Sequence, residues 1–161
     1  MRKIFNLLLS LFFLISISGC AGYEPIFSSS LEIKIADYSI LGDKKLSRQI
    51  YSRLDNLSRS TKESAKTKNL YVEIGASKNT MATVKDNAGK ILEYRITLST
   101  NILVKDYITE NIILRDTLSF SSTYTVQSQQ SKTMELRNQA ITNLIDKSYQ
   151  ELLIKLSENL L

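Results

Sequence analysis

The chain has 161 residues, which is enough for one domain with a single core, and its formal net charge is +5. It contains no histidine, no tryptophan and one cysteine, so the commonest general base and metal ligand are missing. The small charge excess is not that of a nucleic-acid-binding protein. No catalytic or nucleotide-binding motif is present, and the acidic residues are scattered over predicted turns and helix faces. We expect neither an enzyme nor a need for a cofactor or a metal.

The first 20 residues have the features of a bacterial lipoprotein signal. Arg2 and Lys3 precede a mostly apolar stretch over residues 4–17, and small residues then lead to Gly19 and Cys20. This pattern predicts cleavage before Cys20 and lipidation of its sulfur and its new amine. The alternative is a short transmembrane anchor, but a helix needs about 20 apolar residues to span a bilayer.

We divide the chain into a signal peptide over 1–19, a lipidated tether over 20–30 and one folded domain over 31–161. The tether has aromatic and aliphatic residues around Pro25, so we expect it to dock rather than to act as a bare linker. Each buried methylene of an acyl chain contributes about 0.8 kcal/mol, and more than one chain makes anchoring stable. The protein is therefore expected to be exported and tethered by lipid to a membrane surface.

The folded domain begins with a predicted strand and helix. The segment 31–37 alternates apolar and polar through Ile35, which predicts a short strand with Leu31, Ile33 and Ile35 on one face. Asp43 is the predicted cap of a helix that continues to about Ser58. One apolar stripe of that helix comprises Leu46, Ile50, Leu54 and Leu57. The basic segment 59–69 is either a solvated loop or a contact for an anionic surface.

Three further strands alternate in the same way. The second begins near Asn69 and reaches Lys85 after an expected irregularity at 77–80, and a turn at 86–90 uses the positive φ available to Gly89. The third and fourth strands are separated by a turn over 106–111. Their predicted core faces comprise Tyr94, Ile96, Leu98, Ile102 and Val104, and Leu114, Leu118, Phe120, Tyr124 and Val126.

A final helix is predicted from about Lys132 to Asn159, with Ser131 as its cap. Its apolar stripe comprises Met134, Ile141, Leu144, Ile145, Ser148, Leu152, Leu156 and Leu160. The order is therefore β-α-β-β-β-α. We predict an α+β fold with a single two-layer domain, in which two helices pack on one face of a four-stranded mixed sheet whose first pair is parallel.

The face of this sheet that points away from the helices is rich in hydroxyls. It includes Thr97, Ser99, Thr117, Ser119 and Ser121. Such a face is either solvated, as is common in antiparallel sheets, or enclosed against a polar partner wall, where hydroxyls can donate or accept hydrogen bonds.

The sequence resembles the lipopolysaccharide-assembly lipoprotein family LptE. The lipidated Cys20 is followed by Gly22, Tyr23, Pro25, Ile26 and Phe27, which match the family's cysteine, glycine, aromatic, proline, aliphatic and aromatic pattern. The hairpin over 87–96 and the strand over 120–124 before the final helix are also similar, and the match extends in order over the whole mature chain.

The resemblance implies a lipid-anchored protein of the cell outer membrane whose body forms a plug inside the LptD β-barrel. In that role it supports barrel assembly and the delivery of lipopolysaccharide. Four cations are the candidates for contacting lipid A phosphates: Lys78, Lys85, Lys90 and Arg95. The alternatives are that these cations are solvated and that the protein is a membrane-tethered periplasmic binding or structural lipoprotein with a different partner.

Overall fold

In a computed structural model, which describes residues 32–60 and 67–160, the chain has the predicted order β-α-β-β-β-α. Cys20, the tether, Leu31 and most of the basic segment lie outside the described residues. The elements are β1 (Ile33–Gly42), α1 (Lys44–Ser60), β2 (Lys68–Lys85), β3 (Ile91–Asp106), β4 (Ile112–Thr125) and α2 (Gln130–Leu160).

The four strands form one mixed sheet in the order β1-β2-β3-β4. The pair β1 and β2 is parallel, and the two following pairs are antiparallel hairpins, as predicted. A parallel pair needs a crossover connection, and α1 provides it. Both helices lie on the same face, where the core contains branched aliphatic residues from the sheet and leucines and isoleucines from the helices. Its largest fully buried side chains are Ile33, Ile50, Leu54, Leu70, Ile74, Ile96, Leu98, Leu144, Leu152 and Leu156.

The end of β1 is joined to the start of α1 by a compact set of hydrogen bonds. The predicted cap is confirmed, because Asp43 Oδ1 accepts from the backbone N–H groups of Lys45 at 3.0 Å and Leu46 at 3.2 Å. Gly42 has a φ of 66°, and a Cβ there would lie 2.4 Å from the carbonyl oxygen of Ala76. Glycine is therefore required where the chain turns off the sheet.

Two buried serines of α1 accept hydrogen bonds from strand backbone groups that lack a partner in the sheet. Ser47 Oγ accepts from the N–H of Ala76 at 2.8 Å and donates to the carbonyl of Leu41 at 2.7 Å. Ser58 Oγ accepts from the N–H of Ile35 at 2.9 Å, next to a bulge that shifts the register of β1 against β2. Both backbone donors thus have partners where the ladder is interrupted.

The β2–β3 hairpin extends well beyond β1. Pairing of β1 stops at Ala76, so from Ser77 onward the outer edge of β2 has no neighbouring strand among the described residues. The expected irregularity at 77–80 is wrong, because pairing with β3 is regular there and the register shifts lie between Ala82 and Lys85. A bulge close to the turn twists this free edge, as natural sheet edges commonly do.

The final helix differs from its prediction at its start. It begins at Gln130, so Ser131 lies inside the helix rather than at its cap, and Met134 is 53% exposed. Leu136 and Ala140, four residues apart, face the core instead. Met134 and Ile141 are two helical turns apart and lie on the same side of the helix. Met134 is nevertheless exposed, because the first turns of the helix have little of the sheet beneath them.

Two residues on the helix-side face of the sheet depart from an apolar, fully buried core: Phe120, which was predicted there, and Thr100, which was not. Phe120 is only half-buried, because it lies opposite Leu98 on β4, which is an edge strand. Thr100 is fully buried on the same face, and its Oγ1 has no hydrogen-bond partner among the described residues. A buried hydroxyl without a partner loses its hydration with no compensation.

Thr100→Val should therefore stabilise the protein or leave its stability unchanged, since valine keeps the branched shape and removes the unpaired hydroxyl. The comparison variant Leu98→Ala should lower the free energy of unfolding by about 2–5 kcal/mol through loss of burial and a residual cavity. Urea unfolding followed by circular dichroism measures both. A loss of more than about 1 kcal/mol in the valine variant would show that the hydroxyl has a partner.

Candidate functional site

The sheet face opposite the helices has a block of small uncharged polar residues at its centre. The five predicted residues Thr97, Ser99, Thr117, Ser119 and Ser121 all lie on this face. The register extends the block across three strands in three rows, which we call the small polar patch: Gly75–Asn101–Thr117, Ser77–Ser99–Ser119 and Asn79–Thr97–Ser121.

Hydrogen bonds within the small polar patch leave much of its bonding capacity available. Thr117 Oγ1 donates to Asn101 Oδ1 at 3.0 Å, and Thr97 Oγ1 donates to Ser121 Oγ at 3.4 Å. Ser119 and Ser121 are exposed, while Thr97 and Ser99 are half-buried. A hydroxyl can donate one hydrogen bond and accept two, so the patch can still bond to a surface laid against it.

Charged and larger residues of this face begin in the rows that flank the patch. One flanking row is Glu73–Leu103–Arg115, and the other is Met81–Arg95–Thr123. The first row borders a shallow groove of about 620 Å³, whose lining includes Leu41, Gly75 and Leu103. A Cβ on Gly75 would lie only 3.2 Å from Leu41 Cβ. Because glycine has no side chain, nothing projects from the sheet at this position.

The four predicted lipopolysaccharide-contacting cations do not converge on one point. Lys85 and Lys90 lie beside the β2–β3 turn, Arg95 lies on the polar face and half-buried Lys78 lies opposite Leu98 on the helix-side face. None of the four forms an ion pair with another described residue. The hairpin therefore presents separated positive charges rather than a single anion pocket.

The β2–β3 turn itself is well ordered by its own hydrogen bonds. Gly89 has the predicted positive φ, 82°, and its N–H donates to the carbonyl of Asp86 at 3.0 Å. Asp86 Oδ1 accepts from the N–H groups of Ala88 and Lys90, each at 2.9 Å. Exposed Met81, Val84 and Leu92 stand on the strands beside the turn, so this end of the sheet combines apolar and basic side chains.

Two carboxylates at the other end of the sheet have lowered pKa values. Asp106 Oδ1 accepts from the N–H groups of Thr109 at 2.8 Å and Ile108 at 2.9 Å, and these bonds hold the pKa of its carboxyl below 3.8. A hydrogen bond from Lys155 at 2.9 Å likewise lowers the pKa of Asp116. Both groups favour the charged form because their donors bond to it.

Acidic side chains and phenols are the remaining titratable groups of note in the described residues. In the described ranges 32–60 and 67–160, no three His, Cys, Asp or Glu side chains are grouped so that they could hold a metal ion. Burial raises the pKa of Tyr124 and of Tyr149, and burial followed by the Asp55 carboxylate raises that of Tyr51 to about 12. These phenols therefore stay protonated near neutrality. None of the described helices is both long and apolar enough to cross a membrane.

Sequence reasoning missed the rows that make the patch continuous. It recognised hydroxyls on β3 and β4 but not Gly75, Ser77 and Asn79 on β2, which complete the block. The signal for them was the alternation of β2, which continues regularly past Ala76. The groove beside Leu41 could not be found from spacing alone, because it depends on where β1 ends.

The two-helix, four-stranded α+β domain with this strand order is a fold that occurs in solved bacterial lipoproteins. No family model and no curated protein sequence matches the chain. A minor lipoprotein from Acinetobacter baumannii superposes with a TM-score of 0.56 at 14% identity, over 80% of this chain and 92% of that chain. A protein named as a lipoprotein from Caulobacter crescentus gives 0.53 at 14% identity, over 82% and 93%. A protein named lipoprotein B from Nitrosomonas europaea gives 0.53 at 8% identity, over 76% and 83%. At these identities the likeness shows a shared fold.

The lowered pKa of Asp106 predicts an acid-sensitive contribution to stability. Its carboxylate stabilises the fold above the pKa of the unfolded chain, and this contribution is lost as pH falls through the lower folded pKa. Asp106→Asn should therefore be less stable than the unsubstituted protein at about pH 5, and the difference should shrink toward about pH 2. Urea unfolding across that range measures it. A difference that does not change with pH would contradict this account.

Proposed function

We propose that the chain is an outer-membrane lipoprotein of the LptE type, anchored through Cys20, whose sheet face packs against the inner wall of an LptD-like β-barrel. In this role it supports barrel assembly and the assembly of lipopolysaccharide at the membrane surface. The observation that carries the proposal is the small polar patch, a block of uncharged residues across three strands with short side chains throughout.

The shape and chemistry of the patch suit a polar wall. Short side chains let another backbone or side-chain layer approach closely, and the absence of charge within the block avoids the cost of burying unpaired ions. The lumen of a large transmembrane β-barrel is lined by polar residues, which can bond to hydroxyls. An apolar ligand would instead require a concave apolar pocket, whereas the groove beside Leu41 is shallow and has Glu73 and Arg115 in its lining.

The anchor and the fold support the same proposal. The signal pattern that ends at Cys20 is typical of exported lipoproteins, and solved lipoproteins share the domain's architecture. The β2–β3 hairpin extends beyond the end of β1 and presents Lys85 and Lys90 at its turn, where they could meet phosphates of lipid A.

The barrel contact is tested by placing one negative charge in the centre of the patch. Ser99→Glu and Ser119→Glu should each fold normally, because the face is open in the free protein, yet fail to hold a barrel partner, because the carboxylate would be buried without a cation nearby. The measurement is recovery of a stoichiometric barrel with the affinity-tagged, lipidated protein from detergent-solubilised outer membrane.

Gln150→Glu is the matched control, since it adds the same charge on the exposed side of α2 and should keep the partner. The two serines lie directly opposite each other, so the glutamates are tested singly to avoid mutual repulsion. Recovery of the barrel with both variants would reject this interface. Recovery of a different stoichiometric protein with the unsubstituted chain would favour a lipoprotein with another partner.

Lipopolysaccharide binding is tested through the hairpin cations. The triple variant Lys85→Ala, Lys90→Ala and Arg95→Ala should bind lipopolysaccharide more weakly than the unsubstituted protein, and the difference should diminish as salt is raised. Arg48, Lys44 and Lys147 changed together to alanine remove the same charge from exposed helix positions and should leave binding unchanged. Equal binding by the hairpin variant at low salt would leave only the plug role.

A further inference from the structure

The β3–β4 turn, residues 107–111, presents apolar side chains to solvent. Ile108 is 78% exposed and Tyr107 is 51% exposed, and Ile112 at the start of β4 is 53% exposed. Apolar surface in contact with water is unfavourable. Three such residues at one end of a sheet therefore indicate a surface that binds a partner or a membrane.

The backbone of the turn is unusually complete in its hydrogen bonds. The N–H of Tyr107 donates to the carbonyl of Asn69, and that of Glu110 donates to the carbonyl of Asp106, at 2.9 and 3.0 Å. The N–H groups of Ile108 and Thr109 both donate to Asp106 Oδ1. All four consecutive donors therefore have partners inside the protein. Such pairing lowers the cost of moving the segment toward lipid, because unpaired backbone groups become costly as water is lost.

The chain enters the folded domain at this same end of the sheet. The carbonyl of Glu32 accepts from the N–H of Lys68 at 2.9 Å, and the next residue, Asn69, accepts from Tyr107. From Cys20 to Glu32 the chain can extend at most about 40 Å. The β2–β3 turn lies at the far end of the 16-residue strand β3, which is about 50 Å long. The lipid anchor thus allows the β3–β4 turn to reach the membrane, whereas the β2–β3 turn lies beyond its reach.

We infer that the β3–β4 turn is a second membrane contact, in which Tyr107 and Ile108 enter the interfacial region of the bilayer that holds the lipid anchor. Tyrosine and aliphatic residues suit this region, where an apolar body and a polar tip are both accommodated. Basic and acidic groups both lie near the turn: Lys68 and Lys105 against Asp37, Asp106 and Glu110. Insertion is therefore driven by apolar burial and does not require anionic lipid.

This inference rests on the lipid anchor of the proposed function but not on the barrel partner. It sets the orientation of the domain, with the β3–β4 turn at the membrane and the β2–β3 turn directed away from the anchor. The small polar patch then lies between the two ends of the sheet and stays clear of lipid, where it is available to a protein wall.

The chain contains no tryptophan, so a single introduced tryptophan reports on one position. Ile108→Trp places the probe on the β3–β4 turn. Val84→Trp is the matched control, because Val84 is an exposed apolar residue beside the opposite turn. Each lipidated protein is reconstituted into vesicles of phosphatidylcholine with brominated or unbrominated acyl chains, and tryptophan emission is recorded at low and high salt.

Tryptophan at position 108 should be blue-shifted and quenched by the brominated chains, and the quenching should persist at high salt. Tryptophan at position 84 should show neither effect. Vesicle-bound protein in which position 108 is not quenched, or in which both positions are quenched equally, would overturn the inference. Failure of the anchor gives a different result: no fatty-acid label on the protein, and no difference in vesicle sedimentation between it and the Cys20→Ser variant.

Discussion

The covering of one sheet face by two helices is the constraint on which the rest of this molecule depends. The apolar side chains of β2, β3 and β4 are buried only where α1 and α2 reach them, and α1 packs on β1 and the first half of β2. Beyond Ala76 no strand of the described chain adds to the outer edge of β2, and every residue of β2 from Asn79 onward is exposed. The outer half of β2 is therefore exposed to solvent, while its partner β3 still contributes Ile96 and Leu98 to the core.

The junction between β1 and α1 decides where that exposed half begins. Gly42 turns the chain away from the sheet, Asp43 caps the helix, and Ser47 takes the hydrogen bond of Ala76 that a longer β1 would have accepted. These contacts all lie in one short segment. The same few residues therefore end β1, begin α1 and leave the outer edge of β2 unpaired beyond Ala76. The groove beside Leu41 is a consequence of the same junction, because it forms where β1 stops beside the small polar patch.

The two ends of the sheet have different chemistry, and this difference gives the domain a direction. The β2–β3 turn is basic and is held by Asp86, whereas the β3–β4 turn has mixed charge, exposes Tyr107 and Ile108, and is held by Asp106. Each aspartate accepts two backbone donors, so both turns hold their shape without help from the core. A rigid turn can present a side chain to a partner or a membrane with little further loss of conformational entropy.

The fold could be predicted from the sequence because alternation with a period of two and stripes with a period of 3.6 depend only on neighbouring residues. The strands, the helices and most of the core face were predictable for this reason, and the parallel first pair followed from the crossover helix between the first two strands. The burial of three other residues could not be predicted in this way. That of Phe120 depends on β4 being an edge strand, and that of Met134 on how far the helix extends past the sheet. That of Thr100 depends on what packs over its hydroxyl. The register across three strands, which sets Ser77, Ser99 and Ser119 in one row, was likewise decided by tertiary structure. Pairing between distant segments, not local pattern, determines which side chains share a surface.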